Sequence, residues 1–126
     1  YTCLCVGENV AENFGSEVGG QLDKNLEGLG AELKDNKIMF AYEPVWAIGA
    51  DAKRAATTEE IVERMNWMQN YLQNNFGMER AYILYGGSVD AGNIESILQL
   101  DCCDGALIGR ASADKEKWGK IVEVLK

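Results

Sequence analysis

Histidine is absent from all 126 positions. No Ser-His, Cys-His or His-ligated metal mechanism is therefore available from within the chain. Basic residues are also scarce: 12 Lys and Arg stand against 20 Asp and Glu, a net charge of −8. No basic run is long enough to follow a nucleic-acid backbone, so nucleic acid is not an expected partner. An anionic ligand would have to be held by local dipoles, against an unfavourable overall field. No apolar run approaches the ~20 residues of a membrane span and no signal peptide is visible, so a membrane is not expected either. The four cysteines, Cys3, Cys5, Cys102 and Cys103, fall in C-x-C and C-C spacings that match no zinc or redox motif. They are expected to be small buried thiols in a reducing cytoplasm, with no metal and no other cofactor. An initiating methionine is missing too; the sequence opens on Tyr1-Thr2-Cys3-Leu4-Cys5, inside an apolar run, and reads as a piece of a larger protein.

What is present is a core-forming composition, 47% hydrophobic and 25% charged, in short apolar runs that alternate with longer amphipathic ones. Thr2 to Val6 is a strand of the buried type. Val18, Leu22, Leu26, Leu29 and Leu33 follow at helical spacing. Ile38 to Tyr42 is the second strand. Thr57-Thr58-Glu59-Glu60 offers an N-cap and an acidic first turn to a helix carrying Ile61, Met65, Met68 and Leu72, which Gly77 closes. Ala81 to Tyr85 is the third strand, with a short helix behind it that bears Ile94, Ile97 and Leu98. Gly105 to Ile108 is the fourth, and Trp118, Ile121, Val122 and Leu125 mark one side of the last helix. Strands read as continuous apolar runs imply a parallel sheet buried on both faces. The β-α-β-α-β-α-β-α order fits either a doubly wound sheet or a (β/α) barrel, and both place ligands at the carboxyl ends of the strands.

Those ends read Val6-Gly7-Glu8, Tyr42-Glu43-Pro44, Tyr85-Gly86-Gly87-Ser88 and Ile108-Gly109-Arg110. Three of the four turn into glycine, which lets backbone N–H groups approach a ligand and form an anion nest without a basic side chain. Glu43 directly ends an apolar strand and precedes the only proline. Pro44 keeps Glu43 extended, and apolar surroundings would make its carboxylate more basic. The segment 45–56 is long for a connection and has an apolar front and a small-residue tip, the composition of a binding loop or lid.

Tyr42-Glu43-Pro44-Val45-Trp46-Ala47-Ile48-Gly49 closely resembles the lid signature of the triosephosphate isomerase family. Tyr85-Gly86-Gly87-Ser88-Val89 and Asp104-Gly105-Ala106-Leu107-Ile108-Gly109 resemble its two phosphate-gripping segments, and Cys5-Val6-Gly7-Glu8 the end of its fifth strand. The family is itself the standard example of this barrel, of its tuned carboxylate and of its closing loop. The resemblance implies an α/β chain that is the C-terminal half of a (β/α)8 barrel, one (β/α)4 half-barrel over residues 1–126, since the whole barrel typically needs ~250 residues. It implies a cytoplasmic, homodimeric isomerase of glycolysis and gluconeogenesis. Glu43 would be the base that interconverts dihydroxyacetone phosphate and glyceraldehyde 3-phosphate through an enediolate. Ile48 and Leu107 would enclose that carboxylate, and backbone N–H groups of Gly49, Ser88, Gly109 and Arg110 would hold the phosphate. Pro44, Val45, Trp46, Ala47, Ile48 and Gly49 would form the lid, bonded to Tyr85 and Ser88 when closed, with Trp46 on Glu8 when open.

Three features depart from the family pattern. Arg110 stands where a second glycine is usual; the lid end Ala50-Asp51-Ala52-Lys53-Arg54 is about two residues longer, with Asp51 expected to point outward; and the Ile-Gly-Arg ending resembles sister enzymes that isomerise four-carbon tetrulose phosphates. The family's electrophilic histidine and its substrate-binding asparagine and lysine belong to segments before Tyr1. The expected partners are therefore a small phosphorylated sugar and either the missing N-terminal half or a second copy of the chain. The chain alone is expected to be inactive, and a non-catalytic half-barrel assembly module is the alternative. Four parallel strands cannot close the barrel by themselves and would expose edges.

Overall fold

A computed structural model describes residues 1–30, 33, 37–49, 52 and 54–126. Four strands, β1 (Thr2–Val6), β2 (Ile38–Tyr42), β3 (Tyr82–Tyr85) and β4 (Gly105–Ala106), form one parallel sheet in the order β1-β2-β3-β4. Pairing runs Thr2 with Ile38 to Val6 with Tyr42, Met39 with Tyr82 to Tyr42 with Tyr85, and Leu84 with Gly105 to Tyr85 with Ala106. Between the strands lie α1 (Phe14–Leu26), α2 (Thr58–Phe76) and α3 (Ile94–Leu98), and α4 (Lys115–Val124) follows the last. Each crossover steps one strand further in the same direction. A doubly wound sheet reverses its order at a switch point, so the observed order is that of consecutive barrel units.

This one-way winding decides what is buried. Val6, Phe40, Tyr42, Ile83 and Tyr85 belong to one cluster with Val18, Leu22 and Leu26 of α1 and Ile61, Met65, Met68 and Leu72 of α2. Successive strand residues point to opposite faces, and the alternate set, Cys3, Cys5 and Tyr82, is exposed. Burial on both faces is thus observed only in β2, where Phe40, Ala41 and Tyr42 are all buried; β1 and β3 each expose residues of one face. The cysteines are likewise not buried thiols: Cys3 and Cys5 are exposed, and Cys102 and Cys103 are half-buried; all four are free.

Local chemistry explains where elements end. Thr57 accepts from the Glu60 N–H at 3.2 Å while the Glu60 carboxylate accepts from the Thr57 N–H at 2.8 Å, a reciprocal cap that starts α2. The Ala81 N–H goes to the Gln69 side chain at 3.1 Å, so β3 begins one residue later than the apolar run. α1 stops at Leu26, because Glu27 has ψ 128° and Gly28 is left-handed. Leu29 is consequently outside the helix and exposed, whereas Leu33 is buried beyond it. β4 stops at Ala106 rather than Ile108, although the Leu107 N–H still reaches the Tyr85 carbonyl at 2.8 Å. On α4 only Ile121 is buried; Trp118, Val122 and Leu125 are exposed, since its chief neighbour is the 3-10 turn that precedes it. None of the described helices is long and apolar enough to cross a membrane.

Candidate functional site

Glu43 leaves the end of β2 with its N–H on the Val6 carbonyl at 2.8 Å. Its own carbonyl presses on Gly7: a Cβ there would lie 1.7 Å from the Glu43 oxygen. Gly7 is held in turn by Gln21, which accepts from the Gly7 N–H at 2.9 Å and donates to the Gly7 carbonyl at 2.8 Å. The Glu43 side chain runs against Gly86, where a Cβ would meet its Cγ at 2.7 Å and its Oε1 at 3.0 Å. Glycine at 7 and at 86 is therefore what lets the carboxylate stand between the ends of β1 and β3. The Cys5 thiol hydrogen-bonds to Glu43; partial burial, then the charge of Glu43, pushes it up to about 11.

Pro44, at φ −63°, turns the chain into a 3-10 turn over Val45–Ala47. Glu8, fully buried, anchors that turn. Its Oε1 accepts from the Trp46 indole at 2.8 Å and from the Tyr42 hydroxyl at 3.0 Å, and its carbonyl accepts from the Val45 N–H at 3.0 Å. Glu8 Oε2 is buried without a partner among the described residues. Burial, reinforced by the Glu8 charge, raises the Tyr42 phenol. Ser88 Oγ donates to the Ala47 carbonyl at 2.8 Å. The Tyr85 hydroxyl is buried and makes no hydrogen bond among the described residues; burial first, then the charges of Glu60 and Glu8, push it up to about 12. Of the three lid contacts that the sequence suggested, then, the Trp46–Glu8 bond is made, Ser88 touches the lid at Ala47, and Tyr85 does not reach it.

Gly49, at φ +92°, ends the described lid; Ala50, Asp51 and Lys53 lie outside the described residues. Arg54 then stacks over the Trp46 ring at 4.7 Å and makes two 2.7 Å bonds to Glu60. The fork from Arg54, then the Thr57 N–H, hold Glu60 down at about 2 from an ordinary 4.5. A carboxyl depressed in the folded state stabilises the fold above its unfolded value and loses that contribution as pH falls through the folded one. Urea midpoints of the chain and of Glu60→Gln are accordingly expected to differ at pH 6 and to converge between about 4.5 and 2. Parallel curves down to pH 2 would show that the Arg54–Glu60 pair contributes nothing to folding.

A cavity of about 520 Å³ opens beside the lid, between Ile48 and Gly49, the loop 86–90, and the turn 109–111 with Lys117. The N–H groups of Gly49, Ser88, Gly109 and Arg110 have no acceptor among the described residues. Arg110 opens a 3-10 turn, Arg110–Ala113, a right-handed conformation open to any side chain. Glu43 borders the cavity through Gly86 rather than lining it, and Leu107 is 38% exposed and does not line it. Sequence reasoning missed four residues: Tyr42, Gln21, Lys117 and Asn93. Asn93 donates to the Ser88 carbonyl and accepts from the Asp90 N–H, both at 2.9 Å, which sets the loop 86–90. Tyr42 was within reach of strand alternation, which puts it on the face opposite Glu43; Asn93, just before α3, has partners only three and five positions away and could have been found as a local turn signal, whereas Gln21 grips a residue 14 positions off and Lys117 is an exposed helix residue that no motif marks. Among the described residues no group of three or more His, Cys, Asp or Glu is placed to hold a metal ion.

A family model described as triosephosphate isomerase matches residues 1–125. The triosephosphate isomerase of Nitratiruptor sp. is 39% identical over 124 residues, covering 97% of this chain and 49% of that protein. Those of Synechococcus sp. and Oleidesulfovibrio alaskensis are 37% and 36% identical, over 94% of the chain and 45% and 49% of their own lengths. The chain thus spans about half the length of the curated relatives it matches.

Proposed function

The chain belongs to the triosephosphate isomerase family, and from that premise we propose that it supplies the base, the lid and most of the phosphate nest of an enzyme interconverting dihydroxyacetone phosphate and glyceraldehyde 3-phosphate. Glu43 takes a proton from the carbon beside the substrate carbonyl and returns it to the neighbouring carbon. The N–H groups of Gly49, Ser88, Gly109 and Arg110 hold the phosphate, and Ile48 and Leu107 enclose the carboxylate once the lid closes. The Trp46–Glu8 bond corresponds to the open lid, in which Ser88 already holds Ala47; closure exchanges the Trp46–Glu8 bond for one to Tyr85, whose hydroxyl has no partner among the described residues. Closure then keeps water from the enediolate.

The observation that carries this proposal is the seating of Glu43 between Gly7 and Gly86, at the rim of a cavity bordered by four N–H groups without an acceptor among the described residues. What the chain lacks is an electrophile. It has no histidine, and losing one such donor typically costs about 3 kcal/mol of transition-state stabilisation. The electrophile has to come from a partner, and the uncovered sheet face with Cys3, Cys5 and Tyr82 suits docking of the other half of the barrel or of a second copy. We place the protein in the cytoplasm, where four free thiols stay reduced. The test is to assay triose-phosphate interconversion by the chain alone and after adding the half of the barrel that its relatives carry. Activity only in the mixture is expected. Activity of the rigorously purified chain alone would overturn the need for a partner, and none in the mixture would overturn the function.

A further inference from the structure

Two cations on the cavity wall have no task in the reaction as described. Arg110 and Lys117 both line it, and neither forms an ion pair or a side-chain hydrogen bond among the described residues. Arg54, Arg64, Arg80 and Lys120 are each paired with a carboxylate; Lys24, Lys115 and Lys126 are also without an ion pair among the described residues but do not line the cavity. Arg110 is not needed to hold its own turn: the Ser112 N–H and Oγ both bond to the Gly109 carbonyl, at 2.9 and 2.7 Å. Nor does the N-terminus of α4 offer charge to a ligand, because Asp114 Oδ1 already accepts from the Glu116 and Lys117 N–H groups at 3.0 Å each. The carboxylates facing this end are Asp114 and, on the wall, Asp90. A phosphate monoester entering here brings up to two negative charges to a chain of net charge −8, and uncharged N–H dipoles orient it without neutralising it.

We propose that the side chains of Arg110 and Lys117 bind the substrate phosphate directly, supplying the counter-charge that the backbone N–H groups at the strand ends lack. This assignment rests on the phosphorylated substrate proposed above. Arg110 is the stronger of the two, since its planar fork engages two phosphate oxygens at once while Lys117 acts as a point charge. The position after Gly109 is then a specificity element: it raises the preference for a dianion over a monoanion or a neutral polyol.

The experiment is calorimetric titration of this chain, assembled with the half of the barrel that its relatives carry, with glycerol 3-phosphate, a phosphate monoester without a carbonyl. Arg110→Ala is expected to weaken binding about tenfold and Lys117→Ala about threefold, the span of an ordinary net hydrogen bond at a solvent-exposed site. Arg110→Lys should recover most of the loss. Lys120→Ala, which removes a cation paired with Glu116 on the same helix, should bind as the parent does. Both losses should shrink as salt is raised and as pH falls below about 6, where the phosphate becomes a monoanion; a purely structural role would move neither dependence. If the parent protein binds glycerol 3-phosphate and Arg110→Ala and Lys117→Ala bind it equally well with the same salt dependence, the two cations are not phosphate ligands and the phosphate cavity stands. If the parent does not bind it, the phosphate reading and this inference fall together.

Discussion

Glu43→Gln, in the chain assembled with the other half of its barrel, is expected to lower kcat about 10³-fold while KM changes little. The amide keeps the shape of the carboxylate and its seat against Gly86, so ground-state binding is preserved. It has no lone pair basic enough to take a proton from carbon, so the chemical step is lost. Glu43→Asp separates position from basicity. It keeps the charge but withdraws it by one methylene, and a displacement of about 1 Å costs on the order of 10²-fold. The two variants should therefore rank Glu, Asp, Gln in kcat at nearly constant KM. A Gln variant within tenfold of the parent would remove Glu43 from the role of base, whatever the cavity binds.

Much of this arrangement was legible before any coordinates, and the legible parts share a cause. β1 and β2 run over the residues that their apolar runs mark, and α2 starts at Thr57 and closes at Gly77, because caps and apolar periodicity are local. The order of the strands is not local. Periodicity left a doubly wound sheet and a barrel equally open, and only the pairing of β1 to β4 in sequence order decides between them. The same gap explains Cys3, Cys5 and Tyr82: an apolar residue on a strand is buried only if something covers its face, and composition does not say what does. In the site, motif residues carried the cavity, since Ile48, Gly49, Ser88, Gly109 and Arg110 all line it. The side chains that hold those loops were legible only in part. Gln21, which grips a glycine 14 positions away, was missed, and Glu8 and Trp46, which meet across 38 positions, were paired by family resemblance and not by any local pattern. Such pairs depend on register, which the one-dimensional pattern leaves free.

Gly7 is where fold and site depend on the same atom. An alanine there puts its Cβ 1.7 Å from the Glu43 oxygen and 2.5 Å from its carbon, with Pro44 N at 3.3 Å, and all three are backbone atoms. No rotamer change relieves such contacts, so β1 and β2 must separate at their carboxyl ends. That separation works against the Glu43–Val6 and Val45–Glu8 hydrogen bonds at 2.8 and 3.0 Å, and the Gln21 clamp prevents Gly7 from yielding alone. Overpacking of this kind is expected to destabilise the chain by about 3 kcal/mol. In the assembled enzyme the same shift should move Glu43 by about 1 Å and cost a further 10²-fold in kcat. Gly20→Ala is the matched comparison. It sits in α1 with nothing within 4 Å of the added carbon, and the helix should gain up to about 1 kcal/mol. Urea unfolding of the two variants should therefore move in opposite directions. If Gly7→Ala unfolds within about 0.5 kcal/mol of the parent, the error of additivity for an ordinary neutral site, the close approach of β1 to Glu43 is wrong, and with it the seating of the proposed base.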